Sequence, residues 1–195
     1  MKKIFMSLAL IGLFGMYANA QRNQSGIYLN YTDFNNNRLS YASNTASEKN
    51  NIRFHEFSGK DFITVNHMGE KKKLFKNEIY AYQRNNGQVV RTWNRIPYTL
   101  SEQGNIWIYY RDVNVSRGKG IQIERKYFYS TTGDGEIMPL TINNLKHSFP
   151  DKYLFQNFLD AQFRSDTELS LYDGFAKKFK VNRLLETTVA PVAKN

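Results

Sequence analysis

Between Gly26 and about Ser130 the chain alternates apolar and polar residues with a period of two, and only short clusters of Asn, Gly and Ser interrupt it. Such alternation marks β-strands with one buried face, because successive side chains leave a strand on opposite sides. The short breaks constrain the fold most. Parallel neighbours need a crossover of a dozen or more residues, and this stretch offers none, so successive strands must return on themselves as an antiparallel meander, open or rolled.

The expected strands follow from this. Ile27, Leu29 and Tyr31 share one face of the first. Asp61 to His67, a turn at Met68-Gly69-Glu70 and a return over Lys73 to Lys76 make a hairpin. Glu78 to Gln83, Asn85-Asn86-Gly87 and Gln88 to Trp93 make a second, and Tyr98 to Leu100, Glu102-Gln103-Gly104 and Asn105 to Val113 a third. Ile121 to Tyr129 closes the series before a Gly133-Asp134-Gly135 turn, while Asn35 to Asn37 and Ser43 to Asn51 read as loops.

After Pro139 the period changes. Thr141 suits a helix cap before Ile142, Leu145 and Phe149, and Pro150 suits the first turn of a second helix carrying Leu154, Phe155, Phe158, Leu159 and Phe163. Ser165 to Glu168 matches a capping box for a third, with Leu169, Tyr172, Ala176 and Phe179 as its buried stripe. Strands first and helices last predict an α+β fold in which an antiparallel meander is followed by about three C-terminal helices packing on it. The expected organisation is a signal peptide over 1–20, then a single domain over 21–195 that is β-rich over 21–138, helical over 139–186 and flexible from 187.

Residues 1–20 carry the three parts of an export signal: Lys2 and Lys3, an apolar run from Ile4 to Met16, and Ala18-Asn19-Ala20 before Gln21. The run is shorter than the ~20 apolar residues that span a bilayer, which favours a cleaved leader over an anchor. The mature chain is then expected in the periplasm, the outer envelope or the medium. There are no cysteines, so it must be stable without disulfides, and thiol catalysis and cysteine metal sites are excluded. Net charge is +10, and loss of Lys2 and Lys3 leaves +8. Outside the cytoplasm that charge favours an envelope protein, an acidic glycan or an anionic lipid surface, and not nucleic acid. No mature segment has the length and apolarity of a transmembrane helix.

The segments ITVNHMGEKKKLFKNEIYAY, GEIMPLTINNLKHSFPD and LYDGFAKKFKVNRLL resemble a group of exported proteins of unassigned function from Gram-negative bacteria, over about Gly26 to Leu185. The resemblance implies location and architecture only, and carries no site residues.

Candidate chemistry is sparse. The three histidines, His55, His67 and His147, lack zinc-site spacing, so no metal or cofactor is expected. No serine lies in a GxSxG elbow, and Gly118-Lys119-Gly120 is not a phosphate loop. Thr132 to Glu136 reads as an Asp-Gly turn before a calcium loop. Asp61, Glu78, Asp112 and Glu124 are candidate acids only because they fall on expected strands. For binding, Lys71, Lys72 and Lys73 sit beside a hairpin tip where they could meet a polyanion. Trp107, Tyr109 and Arg111 share a strand face that could stack on sugar rings, although burial under the helices would explain the aromatics equally. The reading favoured is a non-enzymatic binding module for an envelope protein or acidic surface component; the alternative is a hydrolase of an envelope substrate such as a glycan, its site assembled from separated loops. Intact-mass measurement of the exported protein is expected to place its N-terminus at Gln21, and a retained Met1 would contradict the leader.

Overall fold

The computed structural model describes residues 24–43, 50–56, 58–118 and 120–189. The leader expected over 1–20 lies outside the described residues, as does 190–195 of the expected tail. Two compact units divide the chain, one running to Tyr98 and the other from Thr99.

The first unit contains β1 (Ser25–Tyr28), α1 (Tyr31–Asn35), β2 (Ser40–Ser43), β3 (Asn51–Arg53), β4 (Phe62–His67), β5 (Glu70–Phe75), β6 (Ala81–Gln83), β7 (Val89–Trp93) and the start of β8 (Ile96–Gln103). The expected first strand stops at Tyr28 and does not reach Tyr31. Asn30 ends it by capping α1: its Oδ1 accepts from the Asp33 amide at 2.8 Å while its Nδ2 donates to Asp33 Oδ2 at 2.9 Å. This reciprocal pair releases the chain from strand geometry and lets Phe34 fold back edge-on to Tyr28, ring centroids 5.1 Å apart.

β4 and β5 form the expected hairpin, in register from Phe62 opposite Phe75 to His67 opposite Glu70. The two-residue turn holds Met68 and Gly69 at φ 54° and 86°, the left-handed pair of a type I′ turn whose twist matches that of the strands. Asn94 and Arg95 repeat that geometry between β7 and β8 at φ 50° and 66°. β3 adds to β4, so β3-β4-β5 is a separate three-stranded sheet and the expected single meander is interrupted there. Ile63, Val65 and Leu74 on one face of it join Ile27, Ile79, Tyr82 and Val90 in the buried core of this unit.

The second unit continues with β9 (Trp107–Arg117) and β10 (Gly120–Ser130), paired over eleven positions, then β11 (Met138–Pro139), α2 (Ile142–Ser148), α3 (Tyr153–Gln162), a 3-10 turn (Asp166–Ser170), β12 (Tyr172–Asp173), β13 (Lys178–Phe179) and α4 (Lys180–Val189). Among the described residues the larger sheet has eight strands in the order β11-β10-β9-β8-β7-β6-β1-β2. The pairs β1–β2, β1–β6, β6–β7, β8–β9, β9–β10 and β10–β11 are antiparallel, so the fold is α+β.

Thr141 caps α2 as expected, its hydroxyl accepting from the Asn144 amide at 3.1 Å. Pro150 lies ahead of α3, which starts at Tyr153. The third expected helix does not form over Leu169 to Phe179. Glu168 caps the Arg164 amide at 2.8 Å instead of that of Ser165, only a 3-10 turn follows, and Tyr172 to Phe179 make a small hairpin before α4 begins at Lys180. Asp173 explains the turn, since its Oδ1 accepts from the amides of Phe175 and Ala176 at 3.0 Å each. α4 runs past the expected start of the tail, with Thr187 and Thr188 hydroxyls bonded to Leu184 O. Leu145, Phe155, Leu159, Leu169 and Leu185 bury themselves with Ile106, Ile108 and Tyr129, so the helices cover the base of β9–β10.

A polar clasp orders this unit. Asn182, 3% exposed, accepts from the Ile106 amide at 3.0 Å and donates to Ile106 O at 2.9 Å and to Glu102 Oε1 at 2.6 Å. Gly104 makes room for it: a Cβ there would stand 2.6 Å from Asn182 Nδ2. Asn182→Ala strands both Ile106 backbone groups in the core and is expected to cost about 2–4 kcal/mol in urea unfolding, with a loss under ~0.5 kcal/mol contradicting the clasp.

Candidate functional site

Alternation on the three-stranded sheet sends one set of side chains into the core and the other to solvent. Pairing aligns Asn51, Asn66 and Lys71 in one transverse row and Arg53, Thr64 and Lys73 in the next, all on the face opposite Ile52, Val65 and Leu74. Phe62 extends this outer face along β4, and the chain leaving β3 brings His55 against Phe62, ring centroids 5.2 Å apart. With Lys60, these residues line a shallow concavity of about 360 Å³.

The concavity is cationic. Arg53, Lys60, Lys71 and Lys73 stand exposed around it, no carboxylate lines it, and among the described residues none of the four is ion-paired. Two of the cations share an aromatic partner: Lys73 Nζ lies 4.9 Å and Lys60 Nζ 5.6 Å from the Phe62 ring centroid. Thr64 is at the floor, 6% exposed, with its hydroxyl 2.9 Å from His55 Nε2. Behind the site Lys76, 3% exposed, donates to Lys60 O at 2.5 Å and so fixes the loop that presents Lys60. Burial pulls the Lys76 ammonium pKa down, and the carboxylates of Glu56 and Asp61 work against that shift. Desolvation lowers the pKa of His55 below its ordinary 6.5, and the charges of Lys60, Arg53, Lys76 and Lys71 lower it further.

The lysine run expected to act as one patch is therefore divided. Lys71 and Lys73 reach the concavity, whereas Lys72 lies on the other face opposite Val65 and donates to the Tyr41 hydroxyl at 3.4 Å. Arg53, Lys60, Phe62 and Thr64 are binding candidates that the sequence pattern does not mark, and His55, weighed there only as a metal ligand, joins them here. The i, i+2 spacing of Phe62, Thr64 and Asn66 carried the signal for β4, but the three-residue β3 that brings Arg53 alongside carried none.

The aromatic ledge on β9 is different from expectation. Tyr109 is fully buried, its hydroxyl 3.0 Å from Ser130 Oγ, and offers no ring to a ligand; Trp107 and Arg111 on the same face are half-buried. The candidate acids are occupied. Asp61 faces Arg95 at 3.8 Å, and Glu78 Oε2 accepts from the Phe75 amide at 3.1 Å. Asp112 takes a two-pronged bond from Arg125 at 2.8 and 2.9 Å, which lowers its pKa, and Glu124 lies between Arg117 and Lys126 with the same result. His67 packs edge-on to Tyr41, and His147 Nδ1 lies 2.8 Å from Asn143 O. Among the described residues no three His, Asp or Glu side chains converge as metal ligands, and no helix is long and apolar enough to cross a membrane. Comparison with protein-family models, curated proteins and solved structures finds no match for this chain.

The histidine gives a stability signature. Because its folded pKa lies below 6.5, the unfolded chain binds the proton more tightly, so the stability linked to His55 is full above pH 6.5 and is lost as pH falls through that value toward the folded pKa. Asn tolerates the left-handed φ of 54° that His55 adopts. His55→Asn is expected to flatten the fall in urea midpoint between about pH 7 and pH 5; an unchanged profile would show that His55 does not titrate against this cluster.

Proposed function

We propose that the protein is a non-enzymatic binding module that takes an acidic glycan of the cell envelope on the outer face of β3-β4-β5. The observation that carries this reading is the convergence of four cations, unopposed by any lining carboxylate, around a concavity of about 360 Å³. Like charges held together raise the local potential and repel one another, and a bound polyanion relieves both. Asn51, Thr64 and Asn66 lie between the cations and supply amide and hydroxyl groups suited to sugar hydroxyls. The volume is that of a small-ligand cleft, large enough for roughly one or two sugar rings. The leader-like residues 1–20 and the net positive charge support an envelope location.

A hydrolase receives less support. The acids expected to serve it are each committed to a neighbouring cation or amide, and none enters the cationic concavity.

Calorimetry with sucrose octasulfate, neutral sucrose and phosphatidylglycerol vesicles separates the partner classes. The sulfated sugar is expected to bind, neutral sucrose not to bind, and vesicles to bind more weakly than the sulfated sugar. The double variant Arg53→Glu, Lys73→Glu reverses two exposed charges and is expected to cut affinity by more than about tenfold at low salt, with a smaller loss at high salt where screening already acts. Equal binding by wild type and variant would remove this face as the site. Stronger binding to vesicles than to the sulfated sugar would transfer the assignment to a lipid surface.

A further inference from the structure

Resting on that reading of the concavity, we propose that the site takes up its oxyanion together with a proton, and that the His55–Thr64 hydrogen bond is the device that couples the two.

The coupling is a matter of donors. Thr64 Oγ1 and His55 Nε2 are 2.9 Å apart, and the hydroxyl has a single proton to give. When the neutral ring carries its proton on Nδ1, Nε2 can only accept, so the Thr64 proton points at the ring and the floor of the concavity presents lone pairs. An oxyanion is repelled by such a floor. When His55 is protonated, Nε2–H must donate to Thr64 Oγ1, which frees the hydroxyl proton to turn toward the ligand. From the Nδ1–H tautomer, one proton taken from solvent thus adds a positive charge beside the site and converts its floor from acceptor to donor.

Desolvation and then the surrounding charges disfavour the proton on His55 in the free site, and a bound anion offsets the charges. Lys60 in the loop before β4, Arg53 on β3, Lys76 after β5 and Lys71 on β5 all oppose protonation of His55, and Lys73 on β5 lines the same concavity. The nearby carboxylates do little to offset them, since Glu56 is engaged by Arg84 at 2.9 Å and by Tyr82 at 2.8 Å, and Asp61 faces Arg95 at 3.8 Å. A multiply charged anion seated between Arg53 and Lys73, over Thr64, cancels the repulsion that kept the proton away. By linkage the effect is reciprocal: lower pH tightens anion binding, and the bound anion raises the pKa of His55. An acidic glycan would then be held in an acidified medium and released toward neutrality.

Sucrose octasulfate tests this cleanly because its sulfate esters keep their charge throughout the range used. For wild type, affinity is expected to fall by about fivefold or more between pH 5.5 and pH 7.5, and calorimetry in buffers of different ionisation enthalpy to show net proton uptake on binding. His55→Asn is expected to lose most of the pH dependence, and Thr64→Val to bind more weakly than wild type at pH 5.5 and to keep only the part of the pH dependence that comes from the charge on His55. Should either variant be poorly folded, an NMR titration of the His55 ring in the wild-type protein, with and without the sulfated sugar, gives the same answer: its pKa is expected to rise when the ligand is bound. Binding that is abolished by Arg53→Glu, Lys73→Glu but indifferent to pH, or a His55 pKa unmoved by ligand, would overturn the proton coupling while leaving the site in place. Failure of wild type to bind at any pH would overturn both.

Discussion

The register of β4 against β5 is the constraint on which the first unit and its site both depend. Strand side chains alternate, so a slip of β5 by one residue against β4 would carry Lys71 and Lys73 to the core face and expose Leu74. Burial of Ile63, Val65 and Leu74 makes that slip prohibitive, and the type I′ turn at Met68-Gly69 sets the same register independently. The cationic face is therefore a consequence of the apolar one. Its side chains need no ion pairs to place them, because the strands already do so.

A face built this way is electrostatically unsatisfied. Phe62 offsets part of the strain by offering its ring to both Lys60 and Lys73, and Lys76 ties down the Lys60 loop from behind. The remaining repulsion adds to desolvation in lowering the pKa of His55. Several cations elsewhere are paired: Arg125 with Asp112, Arg117 and Lys126 with Glu124, Arg183 with Asp173, Lys178 with Glu186. Surface pairs of this kind contribute little stability each. Among the described residues none of the four cations around the concavity has such a pair, and no carboxylate lines it.

The parts of the fold legible in the sequence were those specified locally. The β4–β5 hairpin, the long β9–β10 pair and the Thr141 cap each rest on residues within a few positions of one another. Asn30 and Asp33 are equally local, but a two-period pattern through Tyr31 competes with the cap. Leu169, Tyr172, Ala176 and Phe179 keep helical spacing, but Asp173 and its turn make Tyr172 to Phe179 a hairpin. In the site, the lysine run was visible but its division between two faces follows only from pairing. Three residues cannot declare β3 as a strand, and without β3 neither Arg53 nor His55 is brought to the face. The aromatic ledge failed for the opposite reason: Tyr109 alternates correctly, but burial of its face depends on neighbours distant in sequence.

Backbone amide NMR tests the central claim most directly, because it reads every strand at once. On addition of sucrose octasulfate to the wild-type protein, shift changes are expected to concentrate on Arg53, His55, Thr64 and Lys71 to Lys73, with the β9–β10 hairpin unmoved despite its own cations. Changes that follow Arg111, Arg117, Arg125 and Lys126 and spare β3-β4-β5 would contradict the account.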